Sequence, residues 1–142
     1  MPKITIFQPD LSSCVRLPFY LSRVAAGFPS PADDYVEKKL DLNEHLVKSP
    51  AATFFVRVSG ESMTKAGIFH GDLLIVDRSL EVKEGSIIVA ILNGEFTVKR
   101  FMKREGRMFL AAENDAYQPI EIHSDMDFEV WGVVTNVIHS FQ

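Results

Sequence analysis

The chain has 142 residues, 46% of them hydrophobic, enough for one core and too few for a large second domain. A net charge of −4 and an isoelectric point near 5.5 argue against sequence-independent nucleic-acid binding, which needs a basic footprint. The N-terminus lacks an apolar segment long enough for a secretory signal, and the longest apolar run, Ile87 to Leu92, is far short of the roughly 20 residues that cross a bilayer.

Residues 1–32, with Pro2, Pro9, Pro18, Pro29 and Pro31 and no sustained periodicity, read as an irregular, mobile arm. Cys14 is the single cysteine, so no intrachain disulfide is possible, which fits a reducing cytoplasm. Ser30-Pro31-Ala32-Asp33-Asp34 offers an N-cap, a proline at the first helical position and early acids, which predicts a short helix through Leu40. A second helical turn is expected from Asn43 to Val47. Short strands follow: Thr53 to Val58, Leu73 to Asp77, a central hairpin, Arg107 to Ala112, and Phe128 to Ile138, with Gly132 marking a bulge or bend. Closely spaced strands without long helices between them predict a mainly β, strongly twisted or barrel-like domain over residues 33–142. His45, His70, His123 and His139 show no metal-ligand spacing, so neither a metal nor another cofactor is expected.

The hairpin carries the most chemistry. Asn93-Gly94 separates Ser86–Leu92 from Glu95–Phe101, a strong signal for a two-residue type I′ turn. That turn sets Leu92 opposite Glu95, Ala90 opposite Thr97 and Ile88 opposite Lys99, and it places Ile87, Val89 and Ile91 on the other face with Phe96 and Val98. If the Lys99 face is covered, desolvation disfavours the ammonium and lowers its pKa. The alternative is a strand lysine whose head reaches water.

Upstream, Val58-Ser59-Gly60-Glu61-Ser62-Met63 breaks a strand with a glycine just before a serine. Ser62 is a candidate nucleophile, although Ser-Gly clusters are also ordinary turn chemistry. A serine needs a base, and a lysine at its ordinary pKa is neutral in only about one molecule in 2,500 at pH 7. A Ser-Lys pair therefore works only if the fold desolvates the lysine. His70-Gly71-Asp72 reads as a turn feeding the next strand and not as part of a Ser-His-Asp triad. The cluster Lys99, Arg100, Lys103, Arg104 and Arg107 reads as a solvated strand end, with a patch for an acidic partner as the sharper option.

Val56–Met63, Gly71–Asp77 and Gly94–Phe101 closely resemble motifs of the LexA/UmuD family of self-cleaving serine peptidases. Val24–Pro31 resembles that family's cleavage segment, in which a small residue precedes glycine. The resemblance runs from about Phe19 to the C-terminus. It implies Ser62 as nucleophile, Lys99 as general base and Ala26-Gly27 as the bond cut; for that chemistry the oxyanion hole is expected from backbone amides near Ser62, among Glu61, Ser62 and Met63. The roughly 25 residues before the expected cut are too few for a helix-turn-helix domain, which favours the UmuD branch over the repressor branch. By resemblance, that branch implies a homodimer, cleavage stimulated by the RecA filament on single-stranded DNA, and partnership with a UmuC-like Y-family polymerase in the SOS response. Two rival classes remain open at this point, a non-catalytic dimeric interaction module and a peptidase acting on other proteins.

Overall fold

The computed structural model describes residues 4–19, 26–27 and 38–142. It contains ten strands among these residues: β1 (Ile4–Phe7), β2 (Arg16–Phe19), β3 (Lys38–Asp41), β4 (Thr53–Val58), β5 (Leu73–Asp77), β6 (Ile87–Leu92), β7 (Glu95–Arg104), β8 (Arg107–Ala111), β9 (Ile120–Ile122) and β10 (Phe128–Ile138). One α-helix, α1 (Leu42–Leu46), and two 3₁₀ turns, Pro50–Ala52 and Thr64–Ala66, complete the elements. The mainly β expectation therefore holds. No helix among the described residues is long and apolar enough to cross a membrane.

Two compact units form, one from Met1–Pro9 with Ser49–Gln142 and one from Asp10–Lys48. The larger unit is an eight-stranded antiparallel sheet in the order β1-β4-β5-β10-β6-β7-β8-β9. Strand alternation sorts its core. On β6, Val89 joins a cluster with Val56, Leu74, Val76 and Val98, whereas Ile88 and Ala90 point to a second cluster with Leu110 and Val133, as the period of two demands. Leu92, Phe101 and Ile120 pack against the second cluster and cover the hairpin face that carries Lys99.

In the smaller unit β2 pairs with β3, and Asp41 caps α1 by accepting from the Glu44 amide at 3.0 Å while also accepting from the Val15 amide at 3.0 Å. Two expectations change here. The helix expected from Ser30 through Leu40 lies largely outside the described residues, and its last part, Lys38–Leu40, is strand. Cross-strand pairing with Arg16–Phe19 overrides the local helix signals there. The irregular arm also contains β1, whose Ile-Thr-Ile-Phe alternation is short and follows Pro2, but which adds to the edge of the sheet along β4.

Gly132 sits at an irregularity in β10, where the pairing with β6 shifts register between Val130 and Gly132, so the expected bulge is present. A Cβ at this position would lie 2.5 Å from Val76 Cγ1 and 3.2 Å from Arg78 Cγ. Val76 is fully buried, and a β-branched side chain has little rotamer freedom with which to yield. Gly132→Ala is expected to destabilise the fold by about 1–3 kcal/mol, read as a lowered midpoint in thermal denaturation. An unchanged midpoint would mean that β5 and β10 separate more easily than their packing indicates.

Candidate active site

The hairpin register is the one the turn predicts: Leu92 faces Glu95, Ala90 faces Thr97 and Ile88 faces Lys99. Asn93 and Gly94 have φ of 50° and 82°, the left-handed conformation that a type I′ turn requires and that Asn-Gly accommodates. Lys99 consequently stands on a covered face with 8% of its surface exposed. Burial holds its pKa below the ordinary lysine value, because the ammonium loses hydration. It makes no ion pair among the described residues. Glu61, the acid next to Ser62 in sequence, is exposed.

Beyond β4 the chain turns at Gly60, whose φ of 100° suits glycine and costs other residues. The Gly60 amide donates to His70 Nδ1 at 3.1 Å, and the turn delivers Ser62 inward, with 8% exposure. Lys99 Nζ and Ser62 Oγ lie 3.2 Å apart. The amine also meets Thr97 Oγ1 at 3.0 Å and the Val98 carbonyl at 3.1 Å. Residues distant in sequence by 37 positions thus share a buried polar cluster inside apolar surroundings.

Two hollows open beside this pair. One, of about 500 Å³, is lined by Ser62, Thr97, Lys99 and His70 together with the apolar Leu92, Tyr117 and Ile120. The other is a pit of about 10 Å³ against Ser62, walled by Val58, Met63, Ile68 and Val98. That volume matches roughly one water-sized or methyl-sized group.

Glu61, Ser62 and Met63 share the turn that carries the serine. Ala26 and Gly27 belong to the smaller unit and lie exposed in a bend. His70 and Asp72 do not form a relay with Ser62. Asp72 is buried and accepts from the Phe69 amide, and its other oxygen pairs with His139 Nδ1. The basic cluster disperses too. Lys99 is buried, Arg100 pairs with Glu113, Arg104 with Glu84, and Arg107 lies 3.7 Å from Glu121, as expected of a strand end and not of an open cationic patch. No group of three or more metal-ligating side chains occurs among the described residues.

Sequence reasoning did not single out Thr97 as a partner of the lysine, although the period of two places it on the Lys99 face. It also passed over Glu113 and Asn114, which hold the backbone of the Ser62 turn. The Glu113 amide donates to the Ser62 carbonyl and the Asn114 side-chain amide to the Glu61 carbonyl, at 2.8 and 2.7 Å. No local pattern announces a contact across some fifty positions.

A β-sheet protein with a desolvated lysine amine against a serine hydroxyl has the equipment of a serine hydrolase that uses an amine base. Residues 18–135 match the family model for S24-like peptidases. Protein MucA of Salmonella typhimurium is 47% identical over 136 residues, covering 94% of this chain and 92% of MucA. Protein ImpA of Escherichia coli is 48% identical over 122 residues, covering 86% of this chain and 83% of ImpA. The LexA repressor of Shewanella denitrificans is 41% identical over 119 residues, which are 84% of this chain and 57% of the repressor. The chain belongs to the S24-like peptidase family, in its UmuD-like branch. It is an autocatalytic serine peptidase of the kind that acts in SOS mutagenesis.

Proposed function

We propose that Ser62 is the nucleophile and Lys99 the general base of a self-cleavage that cuts Ala26-Gly27 within the N-terminal arm of residues 1–32, so that residues 1–26 leave and residues 27–142, which include the peptidase domain over residues 33–142, remain. The observation that carries this reading is the 3.2 Å approach of Lys99 Nζ to Ser62 Oγ on a buried face. A neutral amine has two N–H groups and one lone pair. The Val98 carbonyl can only accept, and the Thr97 hydroxyl can accept the second N–H, which leaves the lone pair for the proton of Ser62.

In the reaction, neutral Lys99 takes the hydroxyl proton as Ser62 Oγ attacks the Ala26 carbonyl carbon. The tetrahedral oxyanion is stabilised by amides of the Glu61–Met63 turn. As the intermediate collapses, the C–N bond breaks and the lysine ammonium gives its proton to the Gly27 nitrogen. Water, deprotonated by Lys99, then hydrolyses the Ala26 ester and restores Ser62. The apolar groove suits Val24, Ala25 and Phe28 around the bond, and the pit beside Ser62 suits the Ala26 methyl. Delivery of the bond on the same or a partner chain raises its effective concentration, which compensates for a weak nucleophile.

The family context extends the reading to a cytoplasmic homodimer whose cleavage is stimulated by the RecA filament and whose processed form serves a UmuC-like Y-family polymerase. Stimulation requires that the filament bind the docked-arm state more tightly than the undocked one. Direct sequence-specific DNA binding is not part of this function.

The decisive test is intact-mass analysis of the purified protein between pH 7 and 10. A product starting at Gly27 is expected, absent from Ser62→Ala. Because only the neutral amine is a base and burial lowers the Lys99 pKa, the rate should rise about tenfold per pH unit and level off once the lysine is neutral. A rate independent of pH, or a cut elsewhere, would overturn the assignment. RecA filaments that left the rate unchanged would remove the regulatory part alone.

A further inference from the structure

We propose that Asn114 is a positioning residue that locks the Ser62 backbone amide as an oxyanion donor, an inference that rests on Ser62 being the nucleophile. In a trans peptide the carbonyl and the N–H point in opposite directions from one plane. The plane joining Glu61 to Ser62 therefore aims the Ser62 N–H away from whatever holds the Glu61 carbonyl. What holds it is Asn114 Nδ2, at 2.7 Å.

The direction of that side chain is itself fixed. Asn114 Oδ1 accepts from the Ala116 amide at 2.9 Å, an Asx-type turn that leaves only the NH₂ edge to face Glu61. The neighbouring plane is held in the same way, since the Glu113 amide donates to the Ser62 carbonyl at 2.8 Å and the Glu113 carbonyl accepts from the Lys65 amide at 2.8 Å. The Glu113 carboxylate is in turn paired with Arg100, the residue after Lys99 on β7. One short segment, Glu113-Asn114, thus ties the serine turn to the strand that bears the lysine.

This bracing has a physical purpose. Gly60, just before the tethered plane, has a backbone that tolerates many conformations, and Glu61 is exposed. The Asn114 bond is the contact that holds the Glu61 carbonyl, and so the Glu61–Ser62 plane, directly. Oxyanion stabilisation depends on donors that need not reorganise as charge develops, and loss of one donor in a serine peptidase costs on the order of 10²–10³ in rate. Loosening a donor costs less than deleting it.

The test uses the full chain and two variants. Asn114→Ala removes the tether without adding charge, and Asn114→Asp removes the donor while keeping the acceptor for the Ala116 amide, so the loop retains its turn. Self-cleavage is followed across pH for each, alongside thermal melts and Ser62→Ala. The expected result is a plateau rate at least about tenfold lower in both, with the pH midpoint of Asn114→Ala unmoved, because the desolvation of Lys99 is untouched. A plateau at the parent level in either variant overturns the inference. So does a lowered plateau accompanied in Asn114→Ala by a shifted midpoint and a depressed melting temperature, which would mean general loosening of the site. Cleavage that persists in Ser62→Ala would bring down the nucleophile assignment, and this inference with it, whereas its loss there with an unaffected Asn114 series would overturn the inference alone.

Discussion

Replacing Lys99 by methionine is expected to slow self-cleavage by about 10³-fold at the pH where the parent rate has levelled off, within the range that a positioned general base supplies, and to change how stability depends on pH. Methionine keeps much of the lysine's length and apolar bulk but has no proton acceptor of comparable basicity. The residual rate should therefore lose the rise with pH that marks the parent.

Stability should follow from the same burial. The folded pKa of Lys99 lies below the ordinary lysine value, so between the two the unfolded chain holds one proton more than the folded chain. Stability of the parent therefore rises with pH across that window and is lowest below it, at about 1.4 kcal/mol for each tenfold change in the ionisation constant. Relative to Lys99→Met, the parent should gain in melting temperature as pH climbs from 7 towards the ordinary lysine value of about 10.4. Both proteins are best compared in a Ser62→Ala background, so that neither cuts itself. A melting difference constant over that range would show that the lysine is hydrated in solution, and the proposed base would lose its physical ground.

The second large effect is at the bond. Ala26→Leu is expected to reduce cleavage by at least about 100-fold. The pit beside Ser62 is about 10 Å³, and its walls Val58, Met63, Ile68 and Val98 are all buried members of one core cluster. Admitting three more carbons means displacing a packed wall, which costs about 1–3 kcal/mol in overpacking strain. Misplacing the carbonyl by an ångström adds a further loss of roughly 10²-fold. Enlarging the pit by Ile68→Ala should restore part of the rate to Ala26→Leu, provided melting shows that the core tolerates the change. Cleavage of Ala26→Leu at the parent rate would separate the pit from the cut bond.

What the sequence by itself determined was mostly what local rules encode. Asn93-Gly94 dictated a turn with two left-handed residues, the turn dictated register, and register put Lys99 opposite Ile88. Strand-like apolar runs marked Thr53–Val58 and Phe128–Ile138, and Gly132 an irregularity within the latter. Glycine before Ser62 marked a turn, and the family motifs tied that serine to the lysine. Where local signals were weak or contrary, reading failed: β1 and β9 are short, and β3 occupies the end of an expected helix.

Only the tertiary structure decided how those pieces meet. It inserted β10 between β5 and β6, a pairing of segments far apart in the chain that no periodicity specifies. It covered the Lys99 face with Leu110 and Ile120 around the second core cluster, and that burial holds the lysine pKa below its ordinary value. It brought Ser62 to the Lys99 amine, and Asn114 to the peptide before Ser62. Composition and spacing supply the chemical groups, but a pKa depends on hydration and an oxyanion donor on a fixed peptide plane. Both are properties of non-local packing, which exists only once the chain has closed on itself.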